Sequence, residues 1–134
     1  MDIPISALVP RSDRDALAEA TRQLEGLFAR SRQSMYLFLD DRNKSCNARF
    51  AKLLGYRDPQ AWAAVTTPFA AAFVHPASQG PLVEAHVDAI RHGVASVVPV
   101  TWYRRDGQQV RTRVLLAPVD LEGARLALHF VEPA

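Results

Sequence analysis

From residue 98 onward the chain alternates. Val98, Val100 and Trp102 are apolar at every second position, and Val110, Thr112, Val114 and Leu116 resume the same beat after Asp106-Gly107. A two-residue period sends successive side chains to opposite faces, so these segments read as half-buried β-strands. Asp106-Gly107 reads as a two-residue type I′ turn, in which Gly107 takes a positive φ. A second connection is expected over residues 118–123, leading to a last strand whose inner face carries Leu126, Leu128 and Phe130. Strands joined this tightly are antiparallel.

The rest of the chain supplies the cover that such a sheet needs. Ser12 is a good N-cap, and Asp13 and Asp15 suit a first helical turn. Leu17, Ala20, Leu24, Leu27 and Ser31 follow at spacings of three and four, and Phe28 widens the stripe, which predicts an amphipathic helix over residues 13–30. That stripe either packs on the protein's own core or forms a dimer seam.

Residues 35–40 are a short apolar, aromatic-rich strand ended by Asp40-Asp41-Arg42-Asn43, with a second, very short strand expected over residues 44–46. Asn47 can cap a helix carrying Phe50, Ala51, Leu53 and Leu54, which stops at Gly55. Asp58-Pro59 starts another helix through Trp62, and residues 69–74 form a further apolar turn or helix before His75-Pro76. The long helix is expected to open at Gly80-Pro81, to place Leu82, Val83, His86, Val87 and Ile90 on one face, and to stop at Gly93. The order therefore implies an α+β fold: one antiparallel sheet with helices on one face. We divide the chain into an extension (residues 1–12), an N-terminal helix (13–31) and a main domain (32–134).

At 134 residues, with 49% hydrophobic and 22% charged content, the chain suits one globular domain. The single cysteine, Cys46, excludes an internal disulfide and a cysteine-rich zinc site. No apolar run is long enough to cross a bilayer, and residues 1–11 lack the basic and apolar regions of a signal peptide. A cytoplasmic protein without a membrane partner is the expectation. A net charge of +2 is weak for a nucleic-acid binder, and Arg111 and Arg113 fall on the outward face of their strand, without aromatic residues interleaved to stack bases. We expect no nucleic-acid partner.

Four segments, in order, resemble the PAS family of sensory domains. Asn47-Ala48-Arg49-Phe50 with Leu53-Leu54-Gly55-Tyr56 resembles its N-x-x-F…LLGY helix. Phe73-Val74-His75-Pro76 resembles the HP segment before its long helix, and Tyr103-Arg104-Arg105-Asp106-Gly107 resembles its RRDG hairpin. The resemblance implies a five-stranded antiparallel sheet with short helices on one face, and a signal-transduction module that binds a small ligand or a protein partner. Two departures stand out. Residues 40–47 are shorter and more polar than the family's first hairpin, and Ala77-Ser78-Gln79 replaces the usual aspartates, so the capping there is expected to be unusual.

The candidate ligand pocket gathers Phe38 from the first strand, Leu54, Trp62, Phe69 and Phe73 from the short helices, and His86, Val87 and Ile90 from the long helix. Trp102, Val114, Leu116 and Leu128 come from the closing strands. The same residues could instead fill a solid core. Some members of the family bind haem through a histidine on the long helix, where His86 is the candidate, although its spacing from the RRDG hairpin does not match. Flavin-type members use a cysteine on a pocket helix, a position that Cys46 does not occupy. His86 and His92 are six positions apart, not the four of a zinc pair on a helix, so no metal site is expected.

Three functions follow. The first is a sensor that binds a small apolar ligand and signals to a partner protein, as a homodimer. The second is a ligand-free dimerisation module built on Leu17, Ala20, Leu24, Leu27 and Phe28. The third is a small cone-shaped α+β enzyme with His86 or Asp88 as base, against which the apolar inward positions argue. No catalytic residue is assigned.

Overall fold

The computed structural model describes residues 13–121 and 124–134, with the side chains of residues 13, 14, 16, 17, 121 and 124 also outside the description. The expected extension over residues 1–12 therefore lies outside the described residues, as does the Leu17 side chain.

Strand β1 (Ser34–Asp40) turns back on β2 (Asn43–Cys46), with Tyr36 paired to Cys46 and Phe38 to Lys44. Asp40 makes the turn: its carboxylate accepts from the Arg42 and Asn43 N–H groups at 2.9 and 2.8 Å. Such aspartate-to-backbone bonding is why this residue type favours turns.

Three short helices follow, two of them with a start written in the sequence. Asn47 caps α2 (Ala48–Leu53), its Oδ1 accepting from both Phe50 N and Met35 N, so one amide ties the helix to β1. Asp58 caps α3 (Pro59–Ala63) through a 2.8 Å bond from Ala61 N. Helix α4 (Phe69–Phe73) has no cap from its preceding residue. Instead Asp41, far back in the chain, accepts from Phe69 N at 2.8 Å.

The long helix α5 (Pro76–His92) begins earlier than expected. His75 is the reason: its Nδ1 accepts from Ala77 N at 3.1 Å, doing the work the missing aspartates would do. Pro76 then occupies the first turn, where its lack of an N–H costs nothing. Pro81 lies inside the helix rather than opening it. It is tolerated because it is on the exposed side, and Ala77, whose carbonyl loses a partner, is exposed to water. The buried side of α5 is Ser78, Leu82, Ala85 and Ala89. Val83, expected on the inward face, is 55% exposed.

Strands β3 (Ser96–Tyr103), β4 (Gln109–Leu121) and β5 (Ala124–Pro133) complete a five-stranded antiparallel sheet in the order β2-β1-β5-β4-β3. The β3–β4 loop is one residue longer than the expected two-residue turn. Arg104 N donates to Gln108 O at 2.7 Å and Gly107 N to Arg104 O at 2.9 Å, with Gly107 at φ +87°. This is the three-residue loop whose last position needs the left-handed region, where glycine is unstrained. The second connection is shorter than expected. Residues 118–121 pair with β5, Pro118 opposite Ala127 and Leu121 opposite Ala124, so β4 continues through them.

Helices α2 to α5 cover one sheet face and α1 (Asp13–Arg30) covers part of the other. The expectation of cover on one face alone therefore needs correcting. On the α1 side Ala20 is buried against Met35, Leu37, Leu126 and Leu128, with Leu24, Phe28 and Phe130 packed around them. The face assigned to β5 from the sequence is thus inverted: Leu126, Leu128 and Phe130 meet α1, while Val131 joins the larger core. A strand buried on both faces carries apolar residues on both, and the bulkier set is no guide to which face is inner.

Candidate functional site

The larger core is an aromatic cluster. Trp62 and Trp102 meet Phe50 edge-on, with centroids 5.2 and 5.4 Å away, and Phe69 and Phe73 pack beside them. The Trp102 indole donates to Thr112 Oγ1 at 2.8 Å, and that hydroxyl in turn donates to Val100 O, so this buried pair is satisfied. Leu54, Trp62, Phe73, Trp102, Val114 and Leu116, expected around a pocket, are fully buried in this packing. They fill space and do not line a cavity.

The space that remains is next to them, under α4 and α5. A cavity of about 280 Å³ is bounded by Tyr36 and Phe38 of β1, His129 of β5, Phe69 of α4, and Leu82 and His86 of α5. Tyr36 and Phe38 are two apart on one strand and so share its face. Asp41 and Gln79 stand on its border. Gln79 Nε2 donates to Ala70 O and Val74 O, which clips α4 to α5. Of the expected pocket residues, Phe38, Phe69 and His86 line this cavity; Val87 and Ile90 are half-buried on α5 without reaching it, and Leu128 is on the opposite sheet face.

Tyr36 and His129, which the sequence did not single out, form its wall together with His86. The Tyr36 and His129 rings stack with centroids 4.0 Å apart, and His86 continues the stack 5.7 Å beyond His129, nearly parallel at 14°. Phe38 meets His86 edge-on at 5.5 Å. The sequence signal for His129 was its place in the alternation between Ala127 and Val131, a polar residue between two apolar ones.

Burial governs the charge state of this wall. It pushes the His129 imidazole down to about 3, with the neighbouring His86 adding to the effect, while nearby backbone carbonyls of Tyr36 and Ala127 oppose it without prevailing. Burial also lowers His86 and raises the Tyr36 phenol well above the usual range. All three rings are therefore neutral at pH 7. Among the described residues the buried Tyr36 hydroxyl and His86 Nδ1 find no hydrogen-bond partner. Such atoms are uncommon in folded proteins and each calls for an explanation.

Other chemistry is poorly served. Cys46 is buried on β2, away from the cavity, and burial pushes its thiol up to about 12, which makes it unreactive. Among the described residues no group of three or more His, Cys, Asp or Glu side chains could hold a metal ion. Among the described residues no carboxylate is bonded to His86, and Asp88 does not line the cavity. At about 280 Å³ the space is at the lower bound for small-molecule sites.

No protein-family model matches the chain, and no curated protein matches it. Solved structures do. The PAS domain of an HTR-like protein from Haloarcula marismortui is 23% identical, with 90% of this chain and 96% of that one covered at a TM-score of 0.59. A PAS domain from Colwellia psychrerythraea is 15% identical, covering 86% and 97% at a TM-score of 0.62. A structure described as VqmA bound to DPO is 13% identical and covers 85% of this chain but 57% of that one, at a TM-score of 0.61. The order of strands, the helical cover between β2 and β3 and these matches lead to one conclusion: this chain has the PAS fold.

Proposed function

We propose that this chain is a sensory module that binds a small, largely apolar ligand in the cavity under α4 and α5 and passes the change to a partner signalling protein. The carrying observation is the cavity itself, an apolar space walled by Tyr36, Phe38, Phe69, Val74 and Leu82 with Gln79 and His86 at its border. Pockets of that make-up are the usual form of small-molecule sites. The similarity in fold to a VqmA structure bound to DPO supports the reading. The absence of an oriented acid–base pair in the cavity favours binding over catalysis. No described helix is long and apolar enough to cross a membrane. The single unpaired cysteine suits a reducing compartment such as the cytoplasm.

Native mass spectrometry of freshly purified protein, with thermal shift across a metabolite panel, tests this reading. A co-purified or stabilising small molecule is the expected outcome. No bound mass, together with no shift above baseline for any compound, would remove it.

A homodimer is the second element. Ala20, Leu24 and Phe28 are engaged within the chain, but Leu27, Val97 and Leu115 leave 44%, 55% and 39% of their surfaces open. An assembly through this sheet face and the end of α1 would cover them, and VqmA, a structural neighbour, is described as a dimer. Sedimentation across a hundredfold dilution checks it; a strict monomer throughout would exclude the dimer.

A further inference from the structure

We infer that the groove where α2 meets the start of β1 and the end of β5 docks an acidic peptide segment of the partner protein, with carboxylates on Arg32, Arg49 and Lys52 and an aliphatic side chain on Leu53. This rests on the chain having a signalling partner, not on the cavity holding a ligand, and it names where that partner binds and through what chemistry.

The groove has a volume of about 410 Å³. Arg32, from the link between α1 and β1, lines it with Arg49, Lys52 and Leu53 of α2 and with Val131 and Pro133 of β5. Burial sets up the arrangement. Phe50, Ala51 and Leu54 take the inward side of α2, which leaves Arg49 and Lys52 exposed, three apart and so neighbours on the helix surface. Leu53 is half-buried and Pro133 exposed, so the lining offers apolar surface as well as charge.

Among the described residues none of these three cations has an ion-pair partner. The one carboxylate on the groove, Glu132, already accepts from Gln33 Nε2 at 2.8 Å. By alternation with Val131 it leans toward the other sheet face, where Arg113 is its cross-strand neighbour. The groove is therefore left positive. Arg49 stands in the first turn of α2, the turn least suited to a cation, and no acidic residue accompanies it there. An acidic segment would supply the missing charge.

The shape selects a peptide. No aromatic side chain lines the groove to stack a base, and three cations are few for a phosphate backbone. A bilayer is too broad and flat to enter it. An extended acidic segment with an aliphatic side chain meets both the charge and the apolar lining. The placement also suits signalling, because β1 and β5, which meet in this groove, wall the cavity through Tyr36, Phe38 and His129.

Three labelled hexapeptides test this by fluorescence anisotropy with the intact protein: one alternates glutamate and leucine, one glutamine and leucine, one glutamate and serine. The first is expected to bind at least roughly tenfold more tightly than either other, and to weaken as salt is raised. Arg49→Gln with Lys52→Gln should cost it at least about tenfold. Arg42→Gln with Arg91→Gln removes the same charge from exposed positions outside the groove and should bind like the parent. Equal melting temperatures of the two double variants check that both fold. Equal losses in the two would reduce the effect to general charge attraction and overturn the docking site. So would a glutamine peptide that matches the glutamate one, no binding of any peptide, or tighter binding of a six-nucleotide thymidine strand. None of these outcomes bears on the cavity, which the ligand measurements above decide separately.

Discussion

Tyr36 on β1 and His129 on β5 are direct partners in the sheet register, and their rings stack with centroids 4.0 Å apart and planes 13° apart. The pairing puts two polar side chains on the buried face of two of the three inner strands, where their rings pack face to face. His86 extends the column from the helix side. Several measurable consequences come from this arrangement and from the packing around it.

Tyr36→Phe keeps the ring and removes a hydroxyl that has no partner. Stability without ligand should be unchanged or rise by about 1 kcal/mol, since an unsatisfied buried hydroxyl is a cost. Urea denaturation measures it. A loss of more than about 1 kcal/mol would show that the hydroxyl is bonded after all.

Acid should weaken the fold through His129. Its folded value of about 3 lies below the ordinary 6.5, so between those limits the unfolded chain binds the extra proton. The stability from keeping His129 neutral is complete above about pH 6.5 and is lost as pH falls toward 3, with a limiting slope of about 1.4 kcal/mol per pH unit. His86, lowered by burial, acts in the same direction. His129→Leu should flatten the slope between pH 6 and 4 in denaturation curves; an unaltered slope would mean that His129 is not the group responsible.

Leu24 and Leu27 are three residues apart on α1 and differ in role. Leu24 packs against the Met35–Leu37–Leu128 cluster, whereas Leu27 is 44% exposed. Leu24→Ala should cost about 1–2 kcal/mol and Leu27→Ala less than about 0.5. Equal costs would mean that α1 is not seated on its own sheet.

Lys44 is an internal clasp. It is 3% exposed, its ammonium donates to the carbonyls of Asp41, Ala63 and Val65, and it lies over the Trp62 ring at 5.3 Å. Lys44→Met keeps the length and leaves those carbonyls without this donor, at a cost of about 2–3 kcal/mol. Because the clasp holds the loop that carries Asp41, and Asp41 holds the start of α4, ligand affinity should fall with stability. Calorimetry on the variant checks both; a Lys44→Met protein as stable as the parent would show the contacts to be idle.

Local signals in the chain were strong enough to place most elements. Asn47, Asp58 and Gly93 act at helix ends where their side chains or positive φ suit them, and alternation located β3 and β4. Misplaced ends share one cause. Pro81 looked like a helix opening because proline is common there, but His75 supplied a cap five residues earlier. Asp41 caps α4 from 28 residues away, and no local pattern could reveal that.

The site was legible in part, since Phe38, Phe69 and His86 follow from resemblance and periodicity. His129 and Tyr36 did not, because both faces of β5 are covered and its alternation is apolar on each. By itself the sequence determined, through the two-residue period, which residues of these strands share a face. Only tertiary structure decided which face meets α1 and which meets the cavity, because that choice depends on where α1 packs, not on any periodicity within the strand.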